Sequence, residues 1–377
     1  MSNWPGKFVI GLTGNIATGK SVVRRMLEHL GAYSIDADVL SHRAISKNGP
    51  AYSAVVDYFG KFILQPTGEV DRLRLGRLVF SDMDALKKLE GLIHPHVQQA
   101  IDLLIKRSNH EVVVIEAIKL LEGNLVSACD SIWVVLATEQ IQKERLMAKR
   151  GMSEQEAVQR IHAQSSQEIK KAAADVTIMN TGSFADTWQQ VAAGWEKISS
   201  LSDTTPILRE PVAPGEFSVV RGHPRDSSRI ATFINHLHGN LNLSTEAEIT
   251  ELFGEMAFLL LLKGTKLVGL AGWQVENLVA RTTRLYIDHY INEKDATSFL
   301  INDLERASRD LQCEASLIFL PTNAAGMESI LLELGYRHQT ISGILIEPWK
   351  EAAIESHPPG TIMFIKQLRA DRVLRPI

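Results

Sequence analysis

Cysteine is almost absent from this chain of 377 residues: only Cys129 and Cys313 occur, far apart and with no ligand cluster around them. That excludes a disulfide framework and a structural zinc site, and suits a reducing compartment. A basic excess is also missing, since the formal net charge is −4. Bulk attraction to DNA or RNA is therefore not expected, although local cationic patches for phosphate ligands remain compatible with it. Long hydrophobic runs are lacking too. The run Phe8–Leu12 is too short for a signal-peptide core, and Met256–Leu262 falls far below the roughly 20 residues of a membrane helix. These absences predict a cytoplasmic protein that engages neither nucleic acid nor membrane. What is present is ordinary for a globular protein, 45% apolar and 22% charged residues, in a length that suits two domains.

Apolar strand-like runs alternate with helical patterns through the first half. Strands are predicted at Phe8–Leu12, Tyr33–Ile35, Val112–Ile115, Ser131–Leu136 and Val176–Met179. Helices are predicted at Lys20–Leu30, in several pieces between Val39 and Ile105, at Gln140–Lys149, over Ser153–Ala174 and at Phe184–Ile198. This alternation predicts an α/β domain with a parallel sheet covered on both faces, and ligands beyond the carboxyl ends of its strands. A Ser-, Thr- and Pro-rich stretch then reads as a linker over 201–215. The domains are thus expected at 1–200 and 216–377.

The strongest local signal is Gly14-Asn15-Ile16-Ala17-Thr18-Gly19-Lys20-Ser21, which fits G-x-x-x-x-G-K-S/T between an apolar strand and a helix. Glycines let the backbone curl so that successive N–H groups point at phosphate oxygens, and the following helix presents its positive end to the same anion. Lys20 is expected to reach the β- and γ-phosphates of ATP, and the Ser21 hydroxyl to ligate Mg²⁺. Asp36 and Asp38 follow the second strand. Each could simply cap the next helix, but a carboxylate there is also placed to orient an acceptor hydroxyl.

The first domain resembles dephospho-CoA kinase over residues 8–195. The resemblance rests on Gly11–Gly14 before the phosphate loop, Asp36-Ala37-Asp38, Asp71-Arg72, Val79-Phe80 and Leu92-Ile93-His94-Pro95. It continues through Glu144–Ala148, Arg160-Ile161 with Gln164, and Ala174-Asp175 leading to Asn180-Thr181-Gly182. The resemblance implies a P-loop fold with helical lid and substrate regions, and transfer of phosphate from ATP to the ribose 3′-hydroxyl of 3′-dephospho-CoA. By the same resemblance Asp38 is the catalytic carboxylate, Arg145 a lid cation, and Lys149, Arg150 and Arg160 further lid candidates. His94 borders the acceptor pocket, and Asn180 marks the adenine edge. In this chain Glu116-Ala117-Ile118-Lys119-Leu120-Leu121-Glu122 stands where the family commonly has an acidic residue followed by Pro-Leu-Leu-Phe-Glu. Glu116 and Lys119 are accordingly expected to touch substrate. A nucleoside or nucleotide kinase, or an ATP-gated switch protein, are the alternatives to be separated by a substrate screen.

The second half is similar to the GNAT-like α+β fold, with Leu334-Gly335-Tyr336 as the supporting motif. The acyl-CoA pyrophosphate loop of that fold, Arg/Gln-x-x-Gly-x-Gly/Ala, is replaced by Asn292–Thr297, which has no glycine. A CoA-like ligand for this domain is one expectation, and a packing or homo-oligomer role the other, with Glu276, Tyr336 and His338 as candidate site residues.

Overall fold

The computed structural model describes residues 4–199, 216–239, 244–322, 324–370 and 373. The predicted linker, 201–215, lies outside the described residues. In the first domain the order is β1 (Phe8–Thr13), α1 (Lys20–His29), β2 (Tyr33–Asp36), α2 (Ala37–Ala44), α3 (Tyr52–Phe59), α4 (Arg72–Ser81) and α5 (Met83–Arg107). There follow β3 (Val112–Glu116), β4 (Ser131–Leu136), α6 (Glu139–Arg150), α7 (Glu154–His162), α8 (Gln167–Ala172), β5 (Val176–Met179) and α9 (Phe184–Ser199).

The five strands form a wholly parallel sheet in the order β2-β3-β1-β4-β5. Apolar side chains on both faces of β1 explain its central place. Ile10 and Leu12 pack with Val23, Met26 and Leu27 of α1 and Val191 of α9, whereas Val9 points into the larger core around α2 and α5. The register decides where chemistry can occur. Leu12 pairs with Glu116, and Asp36 pairs with the same Glu116. The phosphate loop, the Asp36–Asp38 segment and Glu116 therefore emerge from one tier at the carboxyl edge.

One boundary differs from the sequence expectation. The stretch Ser153–Ala174 is two helices, because Ser166 caps α8 through the Glu168 N–H. The break turns the Gln164 amide oxygen to the Ile16 N–H at 2.6 Å and the Ser165 carbonyl to the Asn15 amide at 2.8 Å. Pro95 lies inside the long helix α5.

The second domain runs β6 (Phe217–Arg221), α10 (Ser227–Leu237), α11 (Glu246–Leu252), β7 (Ala257–Lys263), β8 (Lys266–Glu276), β9 (Val279–Ile287) and α12 (Glu293–Asp310). It closes with β10 (Ala315–Pro321), α13 (Ala325–Glu333), β11 (Arg337–His338), α14 (Glu347–Ser356) and β12 (Thr361–Gln367). Its mixed sheet has the order β11-β12-β10-β9-β8-β7-β6, antiparallel except where β10 runs parallel to β9. Strand β9 begins at Val279, earlier than its polar sequence suggests, because Arg281 is buried in ion pairs with Glu276 and Glu355. Asn277 and Leu278 both have positive φ, as a two-residue hairpin turn requires.

The two domains are locked at several points. Arg43 of α2 donates to both carboxylate oxygens of Glu314 at 2.7 Å and to the Asn277 carbonyl at 3.1 Å. On the other side of the first sheet, His29 Nε2 donates to the Phe253 carbonyl at 2.8 Å. His29 is buried, its Nδ1 has no hydrogen-bond partner among the described residues, and burial pushes its pKa down to about 3. Nearby Arg221, His223 and Arg25 push in the same direction. Between pH 3 and the ordinary value near 6.5 the unfolded chain thus binds the proton that the folded chain refuses. Stability from this contact is complete above pH 6.5 and falls as the pH drops, by about 2 kcal/mol at pH 5. Melting at pH 7 and pH 5 should show that loss, and His29→Gln should flatten it.

Candidate active site

The phosphate loop adopts a conformation that only its glycines permit. Gly14 and Gly19 have φ of +155° and +94°. A Cβ at Gly14 would stand 2.4 Å from the Val135 carbonyl oxygen, and one at Gly19 would stand 1.9 Å from Asn180 Nδ2. Any side chain at either position would open the loop. Within the curl, Lys20 Nζ donates to the Gly14 carbonyl at 3.0 Å and reaches the Asn15 carbonyl at 3.4 Å. Thr18 closes the turn onto the Asn15 carbonyl. Burial pulls the Lys20 pKa down, while the carboxylates of Glu116, Asp38 and Asp36 oppose the shift. The ammonium is thus held in a partly desolvated site with acids on one side of it.

The two aspartates have separate positions. Asp36 is the N-cap of α2 and accepts from the Val39 N–H at 2.9 Å. Asp38, in the first turn, accepts from the Ile118 N–H at 3.0 Å through one oxygen and lines the cleft. Burial raises the Asp38 pKa, Asp36 adds to the rise, and the Ile118 N–H, Lys20 and Lys170 restrain it. Glu116 lies buried behind Ser21, whose hydroxyl is 3.5 Å from it, and is held by Arg24 at 3.0 Å. Burial pushes the Glu116 carboxyl up, against the pull of Arg24.

Arg145 clamps the loop from above. Its guanidinium donates to the carbonyls of Ala17, Thr18 and Asn180 at 3.2, 3.1 and 3.0 Å. Asn180 completes the clamp by donating to the Thr18 carbonyl at 2.8 Å and accepting from Thr187. Arg150 and Arg160 are exposed and line the cleft, as does the half-exposed Lys119, which pairs with Glu90 at 3.3 Å. The side chain of Lys149 lies outside what the structure describes.

His94 corrects the sequence expectation. It is exposed on α5 and does not line the cleft, because Ile93, Val97, Ala100 and Ile101 take the buried face of that helix. In the second domain Tyr336 is buried with its hydroxyl on Ser316, Glu276 is paired with Arg281, and His338 is exposed on the β11 edge. None of the three lines the cleft. Asn292 caps α12, whose first turn carries Glu293 and Asp295, a charge pattern that disfavours an anion at this helix end.

Several residues in or behind the cleft were not singled out from the sequence. Lys170 is buried behind the cleft and donates to the Ile118 carbonyl at 2.8 Å, from a helix whose composition looks like solvated surface. Arg25, His42 and Arg72 line the cleft itself, and only the tertiary fold shows it. The cleft has a volume of about 1990 Å³, above the roughly 300–1,000 Å³ of a pocket for one small ligand, and so has room for two nucleotides. No group of three or more His, Cys, Asp or Glu among the described residues could hold a metal. A divalent ion here would need phosphate oxygens beside the Ser21 hydroxyl, the usual arrangement for Mg²⁺. No helix among the described residues is long and apolar enough to cross a membrane.

A phosphate loop clamped by an arginine, with a carboxylate after the second strand, can perform phosphoryl transfer to a bound hydroxyl. Comparison with known proteins agrees. Residues 8–186 match the dephospho-CoA kinase family. A dephospho-CoA kinase of Carboxydothermus hydrogenoformans is 42% identical over 186 residues, which are 48% of this chain and 90% of that protein. That of Geobacter sulfurreducens is 40% identical over 192 residues, 50% of this chain and 98% of the relative. Among solved structures, a GNAT-family acetyltransferase from Streptococcus pneumoniae is similar over 40% of this chain and 99% of its own, with 12% identity and a TM-score of 0.32. With the first domain matched almost end to end by proteins about two-fifths identical to it, this chain belongs to the dephospho-CoA kinase family.

Proposed function

We propose that the first domain transfers the γ-phosphoryl group of ATP to the ribose 3′-hydroxyl of 3′-dephospho-CoA, giving CoA and ADP in the cytoplasm. The observation that carries this reading is the convergence of Asp38 and Lys20 in one cleft, with one Asp38 oxygen anchored on the Ile118 N–H and the carboxylate facing the cleft.

In this reading Asp38 accepts the proton of the 3′-hydroxyl as that oxygen bonds to the γ-phosphorus. The bond between the γ-phosphorus and the β–γ bridging oxygen breaks, and its electron pair leaves with ADP. Lys20 and the loop N–H groups hold the phosphates in line, and Arg145 keeps the loop curled. Arg150, Arg160 and Lys119, at the cleft edge, supply charge to the nucleotides. Ser21 would hold Mg²⁺ together with the phosphates, with Glu116 beside it, and the ion would neutralise charge on the β- and γ-oxygens.

Purified full-length protein with Mg²⁺-ATP should release ADP only when dephospho-CoA is supplied, and the product should gain one phosphate by mass. ADP release that ignores dephospho-CoA would point instead to a switch protein or to another acceptor.

A further inference from the structure

The cleft is not built by the first domain alone. Glu251, Gly254, Glu255 and Gln274 of the second domain line it together with the P-loop helix. The turn that follows α11 is fastened to α1 twice, by His29 on the Phe253 carbonyl and by Arg25 Nη1 on the Gly254 carbonyl at 3.2 Å. It also lies tight against the start of α9. A Cβ at Gly254 would stand 3.3 Å from the Phe184 ring, and Phe184 follows directly on the Asn180–Ser183 turn beside the phosphate loop. One end of the cleft is therefore walled by Phe184 and Arg25 from the first domain and by two glutamates from the second.

Charge sorts the two ends. Lys20, Arg145, Arg150 and Arg160 gather around the phosphate loop, where a triphosphate is attracted. Glu251 and Glu255 are exposed carboxylates and would repel phosphate, so their end suits a neutral group that offers N–H donors. The exocyclic amine of adenine is such a donor, and unsubstituted purine, the same ring system, lacks it. Arg25 is one helical turn beyond Ser21, and its guanidinium is fixed by the Ser21 carbonyl at 3.4 Å as well as by Gly254. A planar cation held on the wall in this way is suited to stacking on a base.

We infer that the ATP site is shared between the domains: Arg25, positioned by the Gly254 carbonyl, stacks on the base, and Glu251 and Glu255 select a base that carries an amino group. The inference rests on the kinase reading for its nucleotide, yet it predicts binding that needs no acceptor. The test is calorimetric titration of the full chain with ADP and with purine riboside diphosphate, beside the KM for dephospho-CoA. Arg25→Ala should weaken ADP about tenfold, the loss of a charge-assisted contact, with Arg25→Lys recovering only part of it and the dephospho-CoA KM within about twofold. Glu251→Ala with Glu255→Ala, both on the surface, should narrow the preference for ADP over purine riboside diphosphate by roughly tenfold. Unchanged ADP affinity in Arg25→Ala, or an unchanged ratio of ADP to purine riboside diphosphate in the alanine pair, overturns the proposal. So does equal weakening of ADP and dephospho-CoA, which a merely structural role would produce. Because ADP binding is read directly, a failure of dephospho-CoA as substrate would leave this result interpretable.

Discussion

Asp38→Asn is expected to lower kcat by about 10²–10⁴ while ATP binding stays near that of the parent protein. Asparagine keeps the shape of aspartate, and its amide oxygen can still accept from the Ile118 N–H that anchors Asp38 at 3.0 Å. It cannot take a proton from the acceptor hydroxyl. The contacts that hold the phosphate loop, from Lys20, Arg145 and Asn180, do not involve Asp38. The loss should therefore fall on turnover and spare ATP. Burial raises the Asp38 carboxyl above its ordinary value of 3.8, and neighbouring Asp36 adds to this. The carboxylate is needed ionised, so kcat/KM should fall as the pH drops through that raised value, and the variant should lose this acid limb. Turnover within a few-fold of the parent, with the limb intact, would remove Asp38 from the proton transfer.

The second large effect concerns the joint between the domains. Arg43→Ala or Glu314→Ala should destabilise the chain by about 3–5 kcal/mol, because each breaks an ion pair buried in a dry site. Glu314 is fully buried and accepts from Arg43 twice at 2.7 Å, from Trp349 Nε1 at 3.3 Å and from the Val373 N–H at 3.1 Å. Removing the arginine takes away the two short charge-assisted hydrogen bonds of this set. The interdomain pair Arg72–Glu351, at 3.3 Å, is the internal control. Its side chains are 46% and 38% exposed, so Arg72→Ala should change stability by at most about 1 kcal/mol. Denaturant unfolding separates the two cases. Equal, small effects at both pairs would mean that water reaches Glu314 in solution and that the joint is looser than the geometry described here.

Local sequence carried much of the first domain. The glycines of the phosphate loop, the β-branched run of β3 and the cap at Asp36 are all short-range signals, set by backbone conformation and by the partners of a few successive residues. The division of Ser153–Ala174 into α7 and α8 was not legible, because its purpose is a long-range contact: the break sends Gln164 and Ser165 back to the phosphate loop about 150 residues away. His94 misled for the opposite reason. A His-Pro pair is conspicuous in a sequence, but helix periodicity turned it to solvent while Ile93 and Val97 faced the core.

In the second domain, Leu334-Gly335-Tyr336 was the legible motif. The start of β9 and the whole of α14 were hidden, because Arg281 and Glu355 look like surface charges until they are seen paired. The phosphoryl chemistry is written locally, since a loop that binds phosphate occupies eight consecutive residues, Gly14–Ser21. That the second domain stands at the same cleft emerges only on folding. The contacts that place it there, Arg25 to Gly254, His29 to Phe253 and Arg43 to Glu314, join residues more than 220 positions apart. Each is a hydrogen bond between groups that neither helical nor strand periodicity brings together, so no local pattern could announce it.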